Sequence, residues 1–187
     1  MVDMVYPEVI QGMFVDLRSI TLDDAEFSYN IRADKRNRDT VGQLAPSLEA
    51  QKNFIRWQMQ EPNDYYFVVL NKKGERIGLI GAYNLQGNII EVGREVNVGE
   101  PTEVMEVKIL IREFCRKILG VDRISGVVYM NNKKRISDAI KLGGQNMNVI
   151  KRGENEVLYF EFDLVNEDNS VKKIKRLLEN FKKRDAD

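Results

Sequence analysis

The stretch that most constrains the fold runs from Asn88 to Gly144, where strand and helix patterns alternate. Ile89 to Val98 is rich in β-branched residues, which is typical of a strand. Pro101 and Thr102 then mark the start of a helix, with Thr102 as its expected cap. The apolar residues that follow have mostly three- and four-residue spacings, which predicts one buried helix face. They are Val104, Val107, Ile111, Phe114, Cys115 and Ile118.

The second half of this stretch repeats the alternation. Gly120 ends the long helix, and Arg123 to Met130 has the pattern of another strand. Asn131 and Asn132 then open a short helix whose C-terminal end is marked by Gly143. Strands and helices in this order predict a sheet with helices packed against it.

The residues before this stretch predict a meander of strands with two helices near its start. Thr21 and Asp24 form a capping-box pattern, and Ser47 is the expected cap of a second helix. Alternation and β-branched or aromatic content indicate the strands. These are Met13 to Ile20, Tyr65 to Leu70 and Arg76 to Leu85.

The residues after Gly144 predict two closing strands, Met147 to Lys151 and Glu156 to Leu164. Apolar residues alternate along the last strand, so its polar residues point to the opposite side. These polar residues are Tyr159, Glu161 and Asp163. Ser170 is expected to cap a terminal amphipathic helix, which either packs on the sheet or makes a homodimer contact.

Together these elements predict an α/β (α+β) fold with a mixed, mostly antiparallel central sheet of about seven strands flanked by helices. A chain of 187 residues is most simply one domain. Within the single domain 1–187, residues 13–165 form the strand-and-helix unit, and residues 170–185 form an added C-terminal helix.

Composition excludes several kinds of site. The chain has one cysteine and no histidine, which excludes the usual single-chain zinc site and Ser/His or Cys/His catalysis. We expect no metal, and acid–base chemistry must use carboxylates, Lys, Tyr or water. The formal net charge of zero argues against nucleic acid as a partner. No apolar run can span a bilayer and no signal-peptide pattern opens the chain, so we expect a cytoplasmic protein with no membrane partner.

Three local motifs resemble the central part of the GNAT acetyltransferases, in the same order. They are Glu91-Val92-Gly93, then Leu119-Gly120-Val121-Asp122-Arg123-Ile124, then Asn132 followed by Leu142 and Gly143. The resemblance covers about Phe14 to Leu164. The chain looks most like members that act on amino sugars attached to nucleotides, with the ribosomal-protein N-terminal acetylating members a close second.

The resemblance implies transfer of an acetyl group from acetyl-CoA, as co-substrate, to a primary amine of a small molecule or a peptide. Pantetheine would lie where two strands diverge, near Val96 and Val127, and bond to main-chain groups. The pyrophosphate would lie over the N-terminus of the following helix. The implied cofactor-binding residues are Val96, Asn97, Val98, Gly99, Thr102, Glu103, Val104, Asn132, Lys133 and Arg135.

The resemblance also indicates catalytic residues. Glu91 matches the family's strand glutamate, and Glu95 lies four residues further, which predicts the same face of the strand. Either carboxylate is a candidate base for the acceptor amine. Ala139 stands where many members carry the Tyr that protonates the leaving thiolate, so Ser137 or water is the candidate substitute.

The phosphate loop departs from the family pattern, because it is shorter and holds the single glycine Gly99. Glu100, Glu103 and Glu106 add negative charge at the helix start, where they would compete with a phosphate. The neighbouring cations would compensate; these are Lys133, Lys134 and Arg135.

The departures leave structural alternatives open. A strand carboxylate such as Glu91 can simply pair with Arg94 or another cation, and Asn132 can simply cap its helix. The alternative function is a non-catalytic GNAT-like binding or interaction module with lost or altered CoA binding.

Overall fold

A computed structural model describes residues 5–38, 44–166 and 168–184 of the chain. In these ranges the chain forms eight strands and five α-helices. The strands are β1 Ile10–Gln11, β2 Val15–Ser19, β3 Tyr65–Asn71, β4 Arg76–Gln86, β5 Ile89–Asn97, β6 Arg123–Tyr129, β7 Gln145–Arg152 and β8 Asn155–Asp163. The helices are α1 Ala25–Ala33, α2 Leu48–Gln58, α3 Pro101–Glu113, α4 Lys133–Lys141 and α5 Asn169–Arg184.

The strands follow the order β1-β2-β3-β4-β5-β6-β8-β7 in one sheet. β5 and β6 pair in parallel, whereas β1–β2, β2–β3, β3–β4, β6–β8 and β7–β8 are antiparallel. The predicted mixed, mostly antiparallel α/β fold is therefore confirmed, including the C-terminal helix. The additional strand is β1, which has two residues and is too short to show an alternating pattern.

The chain divides into two compact units, and the division passes through β5 and α3. The first unit holds the described residues up to Asn84 together with Gly93–Ile111, and the second holds Leu85–Val92 and the described residues from Arg112 onward. The predicted single domain therefore stays a prediction, and residue 185 of the predicted terminal helix lies outside the described residues.

The first unit is built on the predicted local signals. Its core packs helix residues against the sheet, with Ile20, Ile31, Ile55, Tyr66, Val68, Leu79 and Val96 among the buried side chains. Asp24 closes the predicted capping box with Thr21, and Ser47 Oγ accepts the N–H of Ala50 at the start of α2. Arg18 also donates to both oxygens of Asp24, at 2.7 and 2.8 Å. Burial would raise the pKa of Asp24, but the hydrogen bonds from Arg18 and Thr21 and the charge of Arg18 together outweigh it, so the pKa is lowered.

The second unit carries the C-terminal half of the sheet. Cys115 is buried in the helical turn that follows α3, and burial raises the pKa of its thiol to about 12. The Asp168 carboxylate accepts the N–H of Ser170, and α5 begins at Asn169. The expectation that Ser170 caps this helix was therefore wrong, because Asp168 flanks the helix and supplies the cap.

Candidate functional site

The parallel pairing of β5 with β6 is short. The paired residues are Ile89 with Arg123, Ile90 with Ile124, and Glu91 with Ser125. In the described chain this register ends before either strand reaches Val96 or Val127. A register that ends in mid-strand is what the expected divergence of these two strands requires.

β5 contains a bulge just after this register. Arg94 has a left-handed backbone, with φ of 54°, although it is not a glycine. Its guanidinium lies 4.0 Å from the Tyr83 ring centroid, and a Cβ built on Gly93 would lie 2.3 Å from the Tyr83 hydroxyl oxygen. Two consecutive residues therefore face the same side, as in a β-bulge.

The bulge changes the predicted arrangement of the two candidate bases. Side chains alternate on either side of a bulge, but the alternation shifts by one residue across it. Glu91 shares a face with Gly93, whereas Glu95 follows Arg94 and takes the opposite face. The inference that Glu91 and Glu95 share a face was therefore wrong, because regular alternation was assumed across Arg94.

The Glu91 carboxylate has a cationic partner. Arg152 Nη1 donates to Glu91 Oε1 at 2.7 Å, and the Glu91 side chain is 14% exposed. The predicted structural alternative, an ion pair with some cation, is thus present. Arg94 is not that cation, because it pairs with Asp64.

Polar residues of β7 and β8 surround a second carboxylate, Glu161. The Tyr159 hydroxyl donates to Glu161 Oε1 at 2.7 Å, and Asn146 Nδ2 donates to Oε2 at 2.8 Å. Burial raises the pKa of the Tyr159 phenol, and its hydrogen bond to Glu161 and the charge of Glu91 raise it further. Burial would raise the pKa of Glu161, but the bonds from Tyr159 and Asn146 and the charge of Arg123 lower it.

The candidate site residues predicted from the sequence did not include Tyr159, Asn146 or Glu161. The alternation of β8 placed Tyr159 and Glu161 on its polar face, and that signal was available in the sequence. Their closeness to Glu91 was not available, because Ser125 of β6 lies between β5 and β8 in the strand register.

The two valines of the predicted pantetheine strand, Val96 and Val98, are directed at the protein's own core and at β4. The Val96 side chain is 3% exposed and belongs to the core of the first unit. The Val98 N–H already donates to the Ile77 carbonyl at 2.9 Å. The Val96 carbonyl also lies on the β4 side, 2.7 Å from a Cβ built on Gly78, and the side chains of Val96 and Val98 serve packing, so a ligand contact of Val96 stays a prediction.

The predicted phosphate loop satisfies its own N–H groups. The Gly99 N–H donates to Asn97 Oδ1 at 2.8 Å, and the Glu100 N–H donates to Glu103 Oε2 at 2.7 Å. Pro101 has no N–H, so three consecutive positions offer a phosphate no free donor in this conformation. A Cβ at Gly99 would lie 2.6 Å from Glu103 Oε2, so glycine is required for this close approach.

The start of α3 differs from the prediction. The helix begins at Pro101, which prefers the first helical position, so Thr102 lies inside the helix and is not its cap. Glu103 instead reaches back to the N–H of Glu100. The Val104 N–H donates to the Glu100 carbonyl at 2.9 Å as part of the first turn.

Glu106 does not add charge to the loop. It is 3% exposed, and its carboxylate accepts the N–H groups of Met13, Phe14 and Val15 at 2.8, 2.6 and 2.9 Å. The prediction that it competes with a phosphate was therefore wrong, because its side chain is buried against β2 and the residues before it.

The start of α4 carries the other predicted contacts. Asn132 Oδ1 accepts the Arg135 N–H at 3.2 Å, so Asn132 does cap this helix. Lys133 is exposed, and Ser137 is partly buried beside Ala139, which is 3% exposed. The ligand contacts of Asn132, Lys133 and Arg135 and the catalytic role of Ser137 stay predictions.

Among residues 5–38, 44–166 and 168–184, no helix combines the length and apolar character that crossing a membrane needs. Those same ranges bring together no group of three or more Cys, Asp or Glu side chains that could hold a metal ion.

Comparison with solved structures finds the same fold repeatedly. A GCN5-related N-acetyltransferase from Brucella melitensis is 12% identical, with a TM-score of 0.75, over 92% of this chain and 86% of its own. FdhC, a nucleotide-linked sugar GNAT, is 22% identical, with a TM-score of 0.74, over 93% of this chain and 98% of its own. A protein assigned as a ribosomal-protein-serine acetyltransferase in Vibrio cholerae is 18% identical, with a TM-score of 0.72, over 86% of this chain and 99% of its own. At these identities the likeness concerns the fold.

No curated protein matches the sequence of this chain. The family model described as the acetyltransferase (GNAT) domain matches residues 15–145, which is more than half of the chain. The fold and the strand register agree with that match, and the chain therefore belongs to the GNAT family of N-acetyltransferases.

Proposed function

We propose that this enzyme transfers the acetyl group of acetyl-CoA to a primary amine carried by a nucleotide-linked amino sugar. A protein N-terminus is the second acceptor class. The observation that carries the proposal is the end of the β5–β6 register at Glu91 and Ser125, followed at once by the bulge at Arg94. Peptide groups beyond that point can bond to an extended ligand such as pantetheine, as an added strand would.

The proposed reaction needs a base near the acceptor amine. The neutral amine attacks the thioester carbonyl carbon, the carbon–sulfur bond breaks, and CoA leaves as a thiolate. The Glu91 carboxylate accepts the proton that the attacking nitrogen releases. The neutral acceptor amine would approach Glu91 in place of the Arg152 guanidinium, which is 48% exposed and can move aside. The thiolate is protonated by Ser137 or by water.

The acceptor class has support from two fold neighbours. FdhC is described as a nucleotide-linked sugar GNAT, and the Vibrio cholerae protein is assigned as a ribosomal-protein-serine acetyltransferase. The match to FdhC covers 93% of this chain at 22% identity, whereas the match to the Vibrio cholerae protein covers 86% of this chain at 18% identity. We therefore rank the nucleotide-linked amino sugar first.

The direct test combines binding with turnover. Acetyl-CoA at about a hundred times its dissociation constant should add about 2.7 kcal/mol to the stability of the protein, seen as a thermal shift. Thiol release should then follow with a uridine- or thymidine-diphosphate amino sugar, and more slowly with a peptide that has a free N-terminus. Cys115 should add no background to a thiol assay, because it is buried and its pKa is raised to about 12. A flat thermal response would favour the non-catalytic module instead.

The N–H groups of the predicted phosphate loop are bonded within the loop and the first turn of α3, which leads to a separate prediction. Replacing Glu103→Gln should tighten CoA binding by about 3- to 10-fold, because it removes a negative charge where the phosphate would lie. The amide keeps an oxygen that can accept the Glu100 N–H, so the helix start stays intact. Titration calorimetry with CoA measures the change. The control is Glu100→Gln, an exposed carboxylate at the same helix end, whose effect should be smaller. Unchanged or weaker binding in Glu103→Gln would place the phosphate elsewhere, for example beside Lys133 and Arg135.

A further inference from the structure

The bulge in β5 depends on a side chain that is not glycine. The left-handed backbone at Arg94 is unfavourable for any residue with a Cβ, and it persists only where the surroundings enforce it. The adjacent Gly93 does not take this conformation. Glycine is needed there for space, because a Cβ would meet the Tyr83 hydroxyl oxygen at 2.3 Å. Some contact of the Arg94 side chain must therefore hold the strand.

The Arg94 guanidinium is held on every side. Its two terminal nitrogens donate to the two oxygens of Asp64, at 2.6 and 2.7 Å. Its central carbon lies 4.0, 5.1 and 5.5 Å from the ring centroids of Tyr83, Phe54 and Tyr66. The Arg94 and Asp64 side chains are 17% and 5% exposed, so water screens this pair weakly.

The backbone of Asp64, the partner of Arg94, is itself fixed. The Asp64 carbonyl accepts a hydrogen bond of 2.6 Å from Gln58 Nε2, and Gln58 is 1% exposed. Phe54 and Gln58 lie on α2, Tyr66 on β3 and Tyr83 on β4. One side chain of β5 is thus tied to three other elements of the first unit.

We propose that Arg94 is a positioning residue: its contacts with Asp64 and the three aromatic rings hold the bulge and so set the direction of the peptide groups from Glu95 to Asn97. The inference rests on the proposed use of acetyl-CoA, because these are the peptide groups that would receive the pantetheine arm. Arg94 touches no reacting atom in this scheme. It acts through the backbone that follows it.

The test measures ligand fragments separately in folded protein. The variants are Arg94→Ala, Asp64→Asn and Arg94→Lys. The lysine keeps the positive charge but cannot form the two parallel hydrogen bonds to Asp64. We expect Arg94→Ala and Asp64→Asn to weaken the binding of acetyl-CoA and of S-acetylpantetheine by about 10-fold or more. Arg94→Lys should weaken the binding of both ligands by about 3-fold. Affinity for adenosine 3′,5′-bisphosphate, which lacks the arm, should change by less than about 2-fold. If Arg94 served only the stability of the fold, its variants would weaken the binding of S-acetylpantetheine and of adenosine 3′,5′-bisphosphate to the same extent.

A matched control exists in the same unit. Arg18 also forms a two-bond pair with a buried aspartate, Asp24, so Arg18→Ala should lower the melting temperature too, though by less than Arg94→Ala does, because Arg76 still contacts Asp24 at 3.3 Å. Its S-acetylpantetheine affinity should stay within about 2-fold of wild type. Equal losses of arm binding in Arg18→Ala and Arg94→Ala would overturn the positioning role, because they would reflect stability alone.

Two further results are decisive. Arg94→Gly relieves the left-handed strain without restoring the contacts, so wild-type arm binding in that variant would show that the guanidinium is dispensable and overturn the inference. If any Arg94 variant fails to fold, Asp64→Asn and Arg94→Lys carry the test. Wild-type protein that binds no acetyl-CoA would overturn the proposed function and this inference with it, whereas normal wild-type binding with unaffected variants would overturn the inference alone.

Discussion

Replacing Glu106→Ala should lower the free energy of unfolding by about 3 to 5 kcal/mol. The Glu106 carboxylate is buried and accepts the consecutive N–H groups of Met13, Phe14 and Val15. Each N–H left buried without an acceptor costs about 1 to 3 kcal/mol, and water that enters the space recovers part of this. Urea denaturation followed by circular dichroism measures the loss.

The same helix provides the control for Glu106. Glu103 lies one turn earlier, is partly buried and accepts one N–H, so Glu103→Ala should cost only about 0.5 to 1 kcal/mol. Glu106→Gln keeps one accepting oxygen and should lie between the two. Equal stabilities of Glu106→Ala and Glu103→Ala would mean that the three N–H groups find water when the carboxylate is removed.

Local signals in the sequence predicted most of the fold. Asn132 and Ser47 cap their helices through residues three positions away, and Thr21 with Asp24 closes a box of the same length. These contacts depend on short chain segments, so their residue types are sufficient evidence. The alternation of the longer strands is equally local, which is why seven of the eight strands had a pattern to find.

Two helix starts show how a local signal can mislead. Thr102 is a favoured cap residue, but Pro101 before it fits the first helical position and moves the start of α3 forward. Ser170 is likewise a favoured cap residue, but Asp168 lies two residues earlier and captures its N–H. In both cases a competing residue upstream decides the boundary.

The remaining errors come from contacts that no local pattern reveals. Glu106 meets Met13 to Val15 across more than ninety residues of chain, so its position in α3 alone suggested surface charge. The left-handed Arg94 is held by residues of α2, β3 and β4 and by Asp64, and its bulge reverses the faces expected for Glu91 and Glu95. The proposed active site therefore required the three-dimensional structure.

Because the bulge at Arg94 places Glu91 and Glu95 on opposite faces of β5, an experiment can distinguish the two candidate bases. Glu91→Gln should lower kcat by about 10²- to 10⁴-fold, the usual contribution of a positioned base, while the dissociation constant of acetyl-CoA changes by less than about 2-fold. Glu95→Gln makes the same carboxylate-to-amide change on the opposite face of β5 and should lower kcat by less than about 3-fold. Steady-state thiol release with the proposed amino-sugar acceptor measures both rates.

The ion pair of Glu91 provides the last control. If Glu91 served only to hold Arg152, Arg152→Gln would break the same 2.7 Å contact and reduce kcat as strongly as Glu91→Gln does. As a base, Glu91 should keep its function without that partner, and Arg152→Gln should cost less than about 10-fold in kcat. A loss in Glu95→Gln with a normal rate in Glu91→Gln would assign the base to the opposite face. Equal large losses in Glu91→Gln and Arg152→Gln would leave Glu91 a structural role, and the proton of the amine would then have to go to Glu161 through Tyr159 or to water.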